Sequence, residues 1–146
     1  MIYLDASYLV KLYADEPGAG AVVAWAEGKG NFTCAAHGRL ELFSAFKRHQ
    51  REGALTGPRV LIMVRQVEDD EASGLIRWLP LTSELVATVC RQMIALPPAV
   101  FLRAADALHL ACAADAGLKE IYSHDRHLLA AAPYFKLKGI DVIPGP

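Results

Sequence analysis

Short apolar runs ending in polar residues, each followed by a stretch with helical spacing, constrain this chain more than any other feature. The first is "MIYLD", which meets an aspartate at position 5. A run so short, stopped by a carboxylate, suits a buried strand whose C-terminal end emerges at Asp5. "ASYLVKLYADE" then predicts a helix that "EPGAG" stops, and "AVVAWAEGK" a second one closed by Gly28 and Gly30. "NFTCAAH" reads as a strand. "GRLELFSAFKRHQREG" reads as an amphipathic helix with Leu40, Leu42, Phe43 and Phe46 toward the core.

The alternation continues to the end of the chain. "PRVLIMVRQVEDDEAS" starts a helix at Pro58, "IRWLPL" is a strand, and "TSELVATVCRQMIAL" is a helix opened by a Thr/Ser cap. A helix over roughly 102–116 ends at Gly117, "KEIYSHD" is a strand leading out to Asp125, and "IDVI" is a last strand. Strands alternating with helices predict a three-layer α/β/α domain with a mainly parallel sheet flanked by helices. At 146 residues, positions 1–146 fit one domain with one core.

Bulk properties narrow the chemistry. A hydrophobic fraction of 53% excludes a disordered chain. A net charge of −1 excludes binding a polyanion by bulk electrostatics, so an anionic substrate needs a few Arg and Lys residues or bound cations. Cys34, Cys90 and Cys112 are widely separated and expected to be buried free thiols. The start lacks a basic signal-peptide region and no apolar run approaches a membrane span, so the expected location is cytoplasmic.

"LRAADALHLACA" places Asp106 inside a core-type helix, with Arg103 and His109 three residues away on either side. An ion pair with Arg103 is one reading, because positions three apart are neighbours on a helix. A metal site is the other. In a parallel sheet, strand C-terminal ends and helix N-terminal ends share one edge, where ligands bind. Asp5, Glu41, Asp106 and Asp125 are all expected on that rim. Each alone reads as a cap or dipole partner. Together they repel, and a divalent cation removes the conflict. Mg²⁺ or Mn²⁺ suits such oxygen ligands, and beside a phosphodiester would polarise it and activate water. By contrast, Glu68, Asp69, Asp70 and Glu71 lie in one segment and read as a solvated helix end. Lys47, Arg48, His49 and Arg51 read as a solvated basic end that guides RNA only if it faces the rim. His109 reads as a packed or hydrogen-bonded core histidine.

These segments resemble PIN-domain proteins of the VapC toxin type. "MIYLDASYLVKLYADEPG" is similar to that family's opening strand with Asp-x-Ser, and "GRLELFSAF" to its helix carrying an acidic residue. "LRAADALHLACA" and "IYSHDRHL" resemble its two later acidic segments. The resemblance implies a metal-dependent endoribonuclease, usually a homodimer, inhibited by a cognate antitoxin. It makes Asp5, Glu41, Asp106 and Asp125 the catalytic acids and Asp5, Asp106 and Asp125 the ligands of Mg²⁺ or Mn²⁺. Ser7 and Ser123 would support them, with Arg103 a further supporting group that either pairs with Asp106, the favoured reading, or touches substrate phosphate. Tyr8, Leu9, Leu12 and Tyr13 read as core packing by default, though the resemblance implies that such an early helix also lines the antitoxin groove. His124 and His127 have no assigned role. Two rivals stand beside this reading. A haloacid-dehalogenase-type phosphatase needs a second Asp where Ser7 stands, which weakens it. A catalytically idle PIN-like module would bind RNA or a protein partner instead.

Overall fold

The computed structural model describes residues 1–145. Its elements run β1 (Ile2–Tyr3), α1 (Ala6–Tyr13), α2 (Ala19–Ala26), β2 (Phe32–Ala35), α3 (Ala36–Arg51), α4 (Gly57–Ala72) and β3 (Ile76–Leu79). They continue with α5 (Ser83–Ala95), α6 (Ala104–Asp115), β4 (Glu120–Tyr122), α7 (Arg126–Ala131), a 3-10 turn (Ala132–Phe135) and β5 (Lys138–Ile140). Every strand pairing is parallel. A Leu4–Tyr122 bridge joins the β1-β2-β3 ladder to the β4-β5 ladder. The resulting order is β3-β2-β1-β4-β5, and the direction of winding reverses between β1 and β4. Such a switch point opens a crevice outside the strands' C-terminal ends.

Alternation along the strands splits the core into two layers. Tyr3 and Ala35 pack with Leu110, Ile121 and Leu128 on the α5–α7 face. Leu4 and Cys34 pack with Leu9, Leu42 and Phe46 on the α1–α4 face. The expected three-layer α/β/α architecture is therefore the observed one. Among the described residues, no helix is long and apolar enough to cross a membrane.

Capping explains several helix starts. Thr56 caps α4, with Pro58 in its first turn, and Thr82 caps α5. Gly117, at φ +75°, ends α6 by turning the chain into the left-handed region that glycine favours.

Five expectations need correction. The strand "NFTCAAH" stops at Ala35, and Ala36 and His37 already belong to α3. Leu40 is 73% exposed, because it lies two residues from buried Leu42 and the two cannot share a helix face. Cys90 is exposed on α5, whereas Cys34 and Cys112 are buried. The last strand is Lys138–Ile140, not "IDVI". Gly139 there lies so close to Leu129 that a Cβ would come within 2.8 Å of its side chain, while Asp141 leaves the sheet to accept from Tyr8 Oη at 2.6 Å. Finally, α7 and the 3-10 turn occupy a stretch for which no helix was expected.

Candidate metal centre

Asp5, Glu41, Asp106 and Asp125 all line one cavity of about 290 Å³, together with Ser7 and Arg103. The fold brings them there from four elements. Asp5 follows β1 and caps α1, Glu41 lies in the second turn of α3, Asp106 in the first turn of α6, and Asp125 follows β4 and caps α7. The capping reading of Asp5 and Asp125 is thus correct as far as it goes. Each uses Oδ1 for the cap, Asp5 accepting from Tyr8 N at 3.1 Å and Asp125 from His127 N at 2.8 Å. Their Oδ2 atoms are committed elsewhere.

Asp5 is buried and held by neutral donors. Ser7 Oγ donates to its Oδ1 and Ser123 Oγ to its Oδ2, both at 2.6 Å. Ser123 in turn accepts from Asp125 N at 2.9 Å, and Ser7 accepts from His124 N at 3.0 Å. The two serines therefore tie the ends of β1 and β4 together. Burial pushes the Asp5 carboxyl above its ordinary range, and the charge of His109 and the three donors only partly offset this.

Arg103 holds the opposite side. Its Nε donates to Asp106 Oδ2 at 2.9 Å and a terminal nitrogen to Asp125 Oδ2 at 2.6 Å. The guanidinium spans both acids and is itself held protonated, first by the hydrogen bond to Asp106 and then by the two charges. Arg48, from the basic end of α3, also lines the cavity, while His49 pairs with Glu16 at 3.1 Å.

Glu41 keeps different company. His109, buried on α6, places Nε2 2.7 Å from Glu41 Oε2, and its Nδ1 lies 2.9 Å from Tyr3 Oη. His37, one turn before Glu41 on α3, places Nε2 3.8 Å from the same oxygen. Burial alone would raise the Glu41 carboxyl, but the His109 hydrogen bond, the two histidine charges and Arg103 outweigh it and leave the group below its ordinary range. Burial and then the His109 charge hold His37 below its ordinary value. Among the described residues, His37, Glu41 and His109 form a cluster whose ligand atoms lie within 4.8 Å of one another, and it can hold a divalent ion. His37 escaped the sequence reading because it stood in an apparent strand. The signal that finds it is His and Glu four apart on a helix.

Donor chemistry fits an oxygen-seeking cation in the cavity. Five carboxylates line it, of which Glu16 is already paired with Lys11 and His49, and Asp5 is buried with three neutral donors and without a salt bridge among the described residues. A cation offsets what its burial costs.

Fold and cavity together define an α/β domain with an acidic crevice at its switch point. The chain belongs to the PIN-domain family, whose model matches residues 2–133. Solved structures of similar fold include VapC20 of Mycobacterium tuberculosis, a sarcin-ricin loop cleaving toxin, at TM-score 0.72 and 16% identity over 94% of this chain and 99% of that one. FitAcB from Neisseria gonorrhoeae gives TM-score 0.71 at 18% identity over 97% and 98%. FitAB bound to a DNA fragment gives TM-score 0.70 at 16% over 100% and 98%. No curated protein matches in sequence.

Proposed function

We propose that this protein is a metal-dependent endoribonuclease and the toxin of a toxin–antitoxin pair. The observation that carries the reading is the convergence of Asp5, Glu41, Asp106 and Asp125 on one cavity at the sheet's switch point. Asp5, Asp106 and Asp125 hold Mg²⁺ or Mn²⁺, with Glu41 as the fourth acid. When bound, the ion supplies a Lewis acid for a phosphoryl oxygen and lowers the pKa of water. Ser7 and Ser123 fix both oxygens of Asp5 so that its carboxylate cannot rotate. Arg103 and Arg48 supply the positive charge that an RNA phosphate needs on a chain of net charge −1. The cleaved bond is an RNA phosphodiester, the partner is a cognate antitoxin, the assembly is a homodimer or a toxin–antitoxin hetero-oligomer, and the location is cytoplasmic. FitAB, solved bound to a DNA fragment, and VapC20, a sarcin-ricin loop cleaving toxin, share this fold and support that assignment.

The Arg103 bridge favours one other reading, a catalytically idle module, because it already neutralises two of the acids. A panel of RNAs with Mn²⁺ or Mg²⁺ and an EDTA control separates the two. Cleavage that EDTA stops, and that Asp106→Asn lowers by at least about 100-fold, is expected of the enzyme. No cleavage and no divalent-ion stabilisation would leave the idle module.

A further inference from the structure

We propose that His37, Glu41 and His109 form a second metal site, selective for a borderline transition ion such as Zn²⁺ and joined to the carboxylate cavity through Glu41.

The two donor sets differ in kind. The cavity offers carboxylate oxygens, which suit Mg²⁺ and Mn²⁺. Two imidazoles and one carboxylate suit Zn²⁺, Ni²⁺ or Cu²⁺. Spacing agrees. Tetrahedral Zn²⁺, with bonds of about 2.0–2.1 Å, sets its ligand atoms roughly 3.3 Å apart. Glu41 Oε2 lies 2.7 Å from His109 Nε2, and His37 offers a ligand nitrogen within 4.8 Å of both. The imidazole rings are 4.2 Å apart, so the nitrogens meet after small rotations.

Each histidine also has electron density to give. His37 Nδ1 is buried with no hydrogen-bond partner, while its Nε2 lies 3.1 Å from the Ala105 carbonyl. A nitrogen left over beside a partner anchored on a backbone carbonyl is the usual setting of a ligating histidine. His109 is anchored through Nδ1 on Tyr3 Oη, which also accepts from Ala35 N at 2.9 Å. With Nε2 given to an ion, His109 is the neutral ring carrying its one proton on Nδ1, donated to the Tyr3 oxygen. The neutral Nε2–H tautomer reaches this state by moving its proton to Nδ1, and the doubly protonated ring by releasing the Nε2 proton to solvent. Gly38 makes the approach possible, because a Cβ there would come within 3.1 Å of His109 Cε1 and 2.3 Å of Cys34 Sγ.

The proposal does not depend on RNA cleavage, and neither does its test. The metal-free full-length protein is titrated with Co²⁺, a spectroscopic stand-in for Zn²⁺, and the visible bands of a low-symmetry complex are followed, with Zn²⁺ added afterwards to displace them. Bands that saturate at one equivalent and bleach with Zn²⁺ are expected. His37→Ala, at a partly exposed position, should lower the affinity more than about tenfold while leaving the circular dichroism unchanged. Asp106→Asn and His124→Ala should retain the bands. Absence of bands overturns the proposal. Equal affinity in the wild type and His37→Ala overturns it too, as does a loss in Asp106→Asn matching that in His37→Ala.

Discussion

Asp5 and Asp106 face the same cavity, yet the protein holds them in opposite ways. Asp5 is buried under hydroxyl and amide donors and its carboxyl is pushed upward by burial. Asp106 is paired with Arg103, whose side chain is 60% exposed, and that one guanidinium also reaches Asp125. On the Asp5 side the charge is geometrically fixed and poorly compensated. On the Arg103 side it is compensated by a cation that can swing into water. The first arrangement stores a cost that a cation placed beside it would relieve. The second is an exchangeable counterion.

The largest expected effect tests the stored cost. Asp5→Asn should abolish Mn²⁺ binding, by at least about 100-fold, and still raise the melting temperature, by about 2–4 °C for each kcal/mol relieved. Asparagine is as good a helix cap as aspartate, so α1 keeps its start. Asp106→Asn should lose the ion without gaining stability, since it also removes an Arg103 partner. If both variants melt alike in calorimetry, the contrast between the two sides is wrong.

The same contrast has a pH signature. The folded value of Asp5 lies above its unfolded one, so its penalty is complete at neutral pH and disappears as the pH falls through the folded value. The melting gap between Asp5→Asn and wild type should therefore close on acidification toward the ordinary carboxylate range. Glu41 has the reverse sign. Its folded value lies below the unfolded one, so its stabilisation is present above the ordinary range and lost as the pH falls through the folded value. Glu41→Gln should cost stability at neutral pH and progressively less in acid, as thermal melts across that range would record.

Smaller effects sharpen the comparison. Ser123→Ala leaves a buried carboxylate short of a donor and Asp125 N without its acceptor, a loss of about 1–3 kcal/mol readable by urea denaturation. Arg103→Ala should cost less, under about 1 kcal/mol, because an exposed pair is screened by solvent. The order of these two is the test. A larger loss at Arg103 would make its bridge structural rather than exchangeable.

Much of this could be read from the chain alone. Apolar runs located β1 through β4, and strand-then-helix order placed Asp5, Glu41, Asp106 and Asp125 on one edge. Less legible was anything decided by close packing. The β2–α3 junction has no loop and no side-chain cap, since Ala35 ends the strand and precedes the helix. No punctuation marked where strand became helix, and His37 was misplaced with it. β5 depends on Gly139 fitting beneath Leu129, which hydropathy does not register. The pairing of Arg103 with Asp106 is local and readable. Its second reach to Asp125 is between residues 22 apart in the chain and depends on the fold.

The bridge formed by Ser7 and Ser123 has a consequence for how the molecule is made. Its two halves are separated by nearly the whole chain, and β4 must dock beside β1 before Asp5 has both hydroxyl partners. A ribosome that has released residues up to the end of α6 has therefore made three of the four acids but no crevice. The acidic pocket comes into existence as one of the last events of synthesis, when Asp125 and α7 emerge, so a chain truncated or stalled before that point carries three of the acids without the crevice.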